Sequence, residues 1–262
     1  MPASPTLHVR SDGAGPALVL LSANPGDGRD FDGIVPALAQ RFRVLRPDWP
    51  GYGGSPAPEP PERASASYFL EVFTRWMEEA DAPRAHLLGN SVGGNVALRY
   101  ALTHPQRVSS LVLVSSGGFT AHNPVTRGFC RLQGQLWFKH LLGDRFTRAY
   151  LRARNPLTRA MIARAGGEQA TDSALRVNAA VWRSFLEPAH DLRVSARALA
   201  VPTLVTGGRH DPVIPAKRDT ALAARTIPGA ELHVFDTGHA PFAEAPEDFL
   251  AVASAFWNRH GA

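Results

Sequence analysis

Three short stretches of this 262-residue chain carry the groups needed for nucleophilic acyl chemistry: Ser91 in "LLGNSVGG", Asp211 in "GGRHDPVIP" and His239 in "FDTGHAPFAEAPEDF". A serine hydroxyl is a poor nucleophile at neutral pH. It becomes competent when an imidazole takes its proton and a carboxylate orients that imidazole. Ser91 also stands in G-x-S-x-G, a pattern in which a sharp strand-to-helix turn strains the central residue and lifts its side chain clear of the sheet. Gly89 and Gly93 fit that turn, because a Cβ at either place is expected to collide with it. A chain of this length would contain the pattern by accident roughly one time in ten, so the flanking elements have to decide.

Those elements alternate. Short apolar runs at residues 7–10, 17–22, 43–46, 85–88, 111–115, 203–206 and 231–235 predict strands, most of them apolar throughout, as strands covered on both faces should be. Helical patterns at 31–41, 65–80, 92–103, 216–226 and 246–259 lie between and after them. In the last, Phe249, Val252, Ala253 and Phe256 recur at helical spacing behind Pro246, which suits a first turn. Alternation of this kind predicts a mostly parallel sheet flanked by helices. Ser91, Asp211 and His239 each follow a predicted strand, so all three are expected at its carboxyl edge, where open α/β sheets place their sites. His210, one residue from the acid position, is expected to point elsewhere.

From about residue 119 to 197 the strand signal disappears. Arg-rich amphipathic stretches with Trp137, Phe138, Phe146, Trp182 and Phe185 take over, which predicts a helical insertion between two strands. The expected organisation is a core of residues 1–118 and 198–262 with 119–197 inserted. This stretch holds 12 Arg and Lys139 against five acids, a net +8 in a chain whose total is +5. The insertion's aromatic residues read first as packing and its charge as a solvated face. If the charge is functional, it draws anionic substrates or an acidic surface.

Composition excludes several classes. With 44% hydrophobic residues the chain can bury roughly three quarters of its unfolded surface without staples. The single Cys130 rules out an internal disulfide framework. The 26 Arg and two Lys form no basic run, so nucleic acid is not an expected partner. No apolar run is long enough to span a bilayer and "MPASPTLHVR" has no signal-peptide pattern, so a soluble, cytoplasmic protein is expected. The remaining histidines show no metal-ligand spacing, no G-x-G-x-x-G follows the first strand, and "GYGGS" is no P-loop; neither metal nor cofactor is expected. The Pro-rich "SPAPEPPER" at 55–63 reads as an extended surface loop.

With Ser91, Asp211 and His239 in the order serine, acid, histidine, the chain resembles the α/β-hydrolase-fold family over nearly its whole length. "RPDWPGYGGSPAP" resembles that family's D-x-x-G-x-G-x-S loop, and "GHAPFAEAPEDF" its ending. The resemblance implies an α/β-hydrolase fold with 119–197 as a helical cap, Ser91 as nucleophile, His239 as base, Asp211 as orienting acid, and an oxyanion hole formed by the backbone N–H groups of Asn24 and Val92. One stretch departs from the pattern: "SANPGD" puts Ser22 and Ala23 where His-Gly is usual. Backbone donors survive that change, although Ala23 forbids conformations open to glycine.

The implied activity is hydrolysis of small ester or related acyl substrates through an acyl-enzyme on Ser91, as in carboxylesterases. "GNSVGG" is also similar to the elbow of carbon-carbon bond hydrolases of ring-opened aromatic products, although Ala240 follows His239 where those enzymes usually have Trp. The ending is similar to cofactor-free haloperoxidases and proline iminopeptidases; the elbow departs from the latter, and Ser91 from the Asp of dehalogenases. Lyases share the fold, and a non-catalytic ligand-binding protein on it is a further alternative. The expected partner is a small molecule, with an anionic one suited to the basic insertion. The sequence leaves the oligomeric state open, a homodimer included.

Overall fold

The computed structural model describes residues 6–260. Seven strands form one sheet: β1 (Val9–Asp12), β2 (Ala17–Leu21), β3 (Arg43–Pro47), β4 (Ala85–Asn90), β5 (Val108–Val114), β6 (Thr203–Gly208) and β7 (Glu231–Phe235), in the order β1-β3-β2-β4-β5-β6-β7. Only β1 runs antiparallel to its neighbour; every other pairing is parallel, as the alternation predicts.

Successive residues of a strand face opposite sides, and the apolar strands use this to build two cores. Val19, Leu21, Leu87, Leu111, Leu113 and Val205 face one layer, which includes Phe69, Phe73, Val96 and Tyr100. Leu18, Leu20, Leu88, Val112, Val114 and Leu204 face the other, with Phe42, Phe249, Phe256 and Trp257. The helices that cover these faces are α1 (Val35–Leu38), α2 (Ala66–Glu79) and α3 (Val92–Thr103). Between β5 and β6 come α4 (Pro124–Gln133), α5 (Leu136–Leu142), α6 (Arg145–Tyr150), α7 (Pro156–Gly166) and α8 (Asp172–Ser184). The chain ends through α9 (Ala221–Thr226), α10 (Pro241–Glu244) and α11 (Pro246–Arg259).

Several boundaries differ from expectation. The helix predicted over 31–41 is a 3₁₀ turn at Gly28–Phe31 followed by the single turn α1. Pro36 lacks an N–H and its ring clashes with a preceding turn, so it is accommodated only at a helix start. The first strand lies two residues later than predicted, because its antiparallel register pairs Val9 with Pro47 and Asp12 with Val44. The helix predicted over 216–226 opens as a wider π turn at Ala216–Thr220 before α9. The 55–63 loop closes in a 3₁₀ turn at Pro61–Arg63.

Candidate active site

Because β4, β6 and β7 run parallel, the residues after their carboxyl ends share one edge of the sheet. Ser91 joins β4 directly to α3 in a backbone conformation of φ 58° and ψ −115°. Positive φ is costly for a residue with a Cβ, and the surroundings impose it. Ser91 N donates to Val114 O at 3.0 Å, while Ser91 O accepts from Asn95 N at 3.1 Å and Gly117 N at 3.0 Å. Glycines make the close packing possible. A Cβ on Gly89 would lie 2.3 Å from Gly93 O, within the turn as expected. A Cβ on Gly93 would instead strike the next strand, 2.3 Å from Leu21 O.

Asp211 and His239 are brought together. Asp211 Oδ2 lies 2.6 Å from His239 Nδ1, while Asp211 Oδ1 accepts from Val213 N at 2.8 Å and Ile214 N at 3.0 Å. Both side chains are almost wholly buried. The carboxylate is fixed by two main-chain donors before it meets the ring, so it can hold one tautomer and orientation. His210 points away, to Asp236 at 2.7 Å, as expected. Among the described residues no hydrogen bond joins Ser91 Oγ to the His239 ring. The two loops are tied through Asn90, whose Nδ2 donates to Val114 O at 3.0 Å and His239 O at 3.2 Å.

Sequence reasoning missed three supports of the histidine loop. Tyr150 accepts His239 N on its carbonyl at 2.9 Å and sets its ring edge-on to the imidazole at 5.1 Å. Glu244 accepts from Gly238 N at 3.0 Å and Ala240 N at 3.2 Å on one side, and from Arg152 N at 2.8 Å and Ala153 N at 3.0 Å on the other. One buried carboxylate therefore pins the loop to the segment after α6. Its position within "GHAPFAEAPE" was the available signal. Asn90, beside the nucleophile, had none beyond its place in the elbow.

Asn24 is buried, with its side chain used for positioning: Oδ1 accepts from Tyr52 Oη at 2.6 Å, and Nδ2 reaches Asn178 of α8 at 3.4 Å. At the Ser22 departure, Ser22 O accepts from Trp49 Nε1 at 2.8 Å, which holds the loop by its main chain. Val92 opens α3, and the N–H groups of a first turn have no partner within their own helix.

Ser91 and Val92 line a cavity, partly open to solvent, with about 580 Å³ of empty space, walled by Phe129, Trp182, Phe185, Val213 and Ile214, with Thr120, Thr126 and His190 as polar points. Burial, aided by the Arg99 charge, holds His190 down at about 3, so it is neutral near pH 7. A second cavity of about 350 Å³ lies between Pro25 and the insertion and meets Lys139. Lys139 Nζ donates to Gln133 Oε1 at 2.6 Å and sits 5.1 Å over the Trp182 ring. Burial pushes its ammonium well below the usual lysine range. No group of three or more metal-ligating side chains occurs among the described residues, and no helix there is long and apolar enough to cross a membrane.

Comparison with known proteins identifies the fold and family. The family profile described as the alpha/beta hydrolase fold matches residues 16–246. The chain is 31% identical to the pimeloyl-[acyl-carrier protein] methyl ester esterase of Nitrosomonas europaea, over 95% of this chain and 99% of that one. It is equally 31% identical to a 2-hydroxymuconate semialdehyde hydrolase of a Pseudomonas species, over 95% of this chain and 91% of that one. A hydrolase of Pseudomonas aeruginosa superposes with a TM-score of 0.82 at 26% identity, covering 100% of this chain and 97% of that chain.

Proposed function

The chain belongs to the α/β-hydrolase family, and from that premise we propose that it is a serine hydrolase cleaving small esters or related acyl compounds. The observation that carries the reading is the strained Ser91 at the same sheet edge as the His239–Asp211 pair, whose side chains meet at 2.6 Å. His239 takes the Ser91 proton as Oγ attacks the carbonyl carbon. Asp211 holds the imidazole and stabilises its charged form. The N–H groups of Asn24 and Val92 receive the oxyanion, a contribution typically worth on the order of 10²- to 10³-fold per donor. His239 then protonates the leaving alcohol, and water, deprotonated by the same ring, releases the acyl group.

The helices between β5 and β6 act in this reading as a cap, and the aromatic walls of the 580 Å³ cavity receive the hydrocarbon part of the substrate. Similarity to both an ester hydrolase and a 2-hydroxymuconate semialdehyde hydrolase keeps carbon-carbon bond hydrolysis as the second reading. The test is turnover of p-nitrophenyl esters from acetate to octanoate, alongside a ring-opened dienoate, by wild type and Ser91→Ala. Ester turnover that falls by about 10⁴-fold or more in the variant supports the mechanism, and preference for the dienoate selects the second reading. Ser91→Ala that keeps wild-type turnover overturns both.

A further inference from the structure

The insertion carries a feature that ester hydrolysis does not use. Val125, Phe129, Leu132, Trp137 and Leu141 stand exposed on α4 and α5, and only Val194 and Leu232 join them among the exposed large apolar side chains of the described residues. Exposure reaches 81% at Val125, 59% at Trp137 and 61% at Leu141. The spacing is helical: 125, 129 and 132 form one stripe of α4, and 137 and 141 one stripe of α5. The flank of α4 next to the stripe is already used, since Cys130 and Gln133 are buried there. Phe129 turns part of its ring inward, against Phe146 and Trp182, while Val125, Trp137 and Leu141 remain more than half exposed.

Charge identifies what could cover the stripe. Arg127 and Arg131 are exposed on the polar side of α4, Arg145 reaches the Leu141 carbonyl beside the α5 stripe, and from residue 122 to 149 the only acid is Asp144, which is paired with Arg148. A basic amphipathic surface with a tryptophan at its apolar edge matches an anionic lipid interface, where apolar ends enter the acyl boundary and arginines meet headgroups. A second copy fits poorly, because a two-fold contact on this face would set the same arginines against each other. The position is consistent with delivery of an apolar ligand: Thr126 and Phe129 of α4 line the Ser91 cavity, so the stripe and the cavity share this helix.

We propose that the α4–α5 face docks on anionic membrane surfaces, without spanning them, and sets the α4 wall of the cavity against the lipid. The proposal stands whether or not Ser91 hydrolyses esters. The test is co-sedimentation of the full chain with phosphatidylcholine vesicles containing about one quarter phosphatidylglycerol, against phosphatidylcholine alone. Wild type is expected to bind the anionic vesicles at least about tenfold more tightly, with high salt weakening the binding. Trp137→Ser with Leu141→Ser, and separately Arg127→Glu with Arg131→Glu, should each lower that affinity by about tenfold or more. None of these four residues lines the cavity, so an unchanged melting temperature and wild-type turnover of a soluble short-chain ester, where wild type shows such turnover, establish that the variants fold. Equal binding to both vesicle types overturns the proposal. So does a wild-type dimer abolished by Trp137→Ser with no vesicle binding, or capture by soluble polyglutamate as tight as by vesicles and unmoved by the serine variants.

Discussion

The elbow at Ser91 and helix α4 meet at one cavity, and the elbow and the segment from α4 to α6 are held in place by different means. Ser91 is clamped by main-chain bonds from three segments, between glycines whose missing Cβ atoms let strands and turn approach. In α4 and α5 the chain exposes apolar and cationic side chains, and where it does bury a charge, at Lys139, it supplies an amide and two aromatic rings in place of a carboxylate. The first region fixes one side chain through the backbone, so its sequence is short and restricted. The second shapes a cavity through side chains, and many sequences could do so.

The sharpest way to break this contrast is to change chemistry at the sheet edge while keeping its geometry. Asp211→Asn retains Oδ1 as acceptor for Val213 N and Ile214 N, so the turn survives. It replaces the charge at 2.6 Å from His239 Nδ1 by an amide that favours the wrong tautomer. Ester turnover should fall by about 10³- to 10⁴-fold with the melting temperature little changed. A loss under tenfold would mean that another group orients His239, and the reading of Asp211 would fail.

Gly93→Ala tests the steric half. The new Cβ would meet Leu21 O, Leu21 C and Ser22 O, all main-chain atoms of β2 and the loop that leads to Asn24. Backbone cannot rotate away, so β2 and α3 must separate. The expected cost is about 3 kcal/mol, a fall in melting temperature of roughly 6 °C or more, with turnover reduced because the displaced strand carries the Asn24 loop. Gly128→Ala on α4, where a Cβ meets nothing within 4 Å, is the control and should not destabilise. Equal effects at the two glycines would remove the distinction between the regions.

These two regions also differ in how much of them the sequence disclosed. Ser91, Asp211 and His239 were legible because each is attached to the end of an apolar strand, and strand polarity alone brings such ends together. The partners that brace them were not. Glu244 binds N–H groups 91 and 92 residues away in sequence, and Asn178 meets Asn24 across 154 residues, pairings that no local pattern encodes. Pro36 marked the break in the helix predicted over 31–41, and the mean apolar pattern hid it. In the insertion, Trp137 and Trp182 looked alike as aromatic residues in amphipathic stretches, yet one is 59% exposed and the other 5%. Periodicity shows that a face is apolar and leaves open whether anything packs on it.

Lys139 offers the smallest effect and the finest test of how the insertion tolerates charge. Burial lowers its folded-state value below that of the unfolded chain, where lysine titrates near 10.4. The unfolded state therefore holds more protons between the two values, and stability rises with pH across that window. The favourable contribution is complete above the unfolded value and is lost as pH falls through the folded one. Lys139→Met removes the titration but leaves Gln133 Oε1 without its donor, at a cost of about 1 kcal/mol. Relief of the buried charge offsets that cost near neutral pH, so the net change there should be within about 1 kcal/mol. The diagnostic quantity is the slope: melting temperatures from about pH 7 to pH 10 should climb less in the variant than in wild type. Parallel curves would mean that Lys139 keeps its proton throughout, held by the Trp182 and Phe146 rings as strongly as water would hold it.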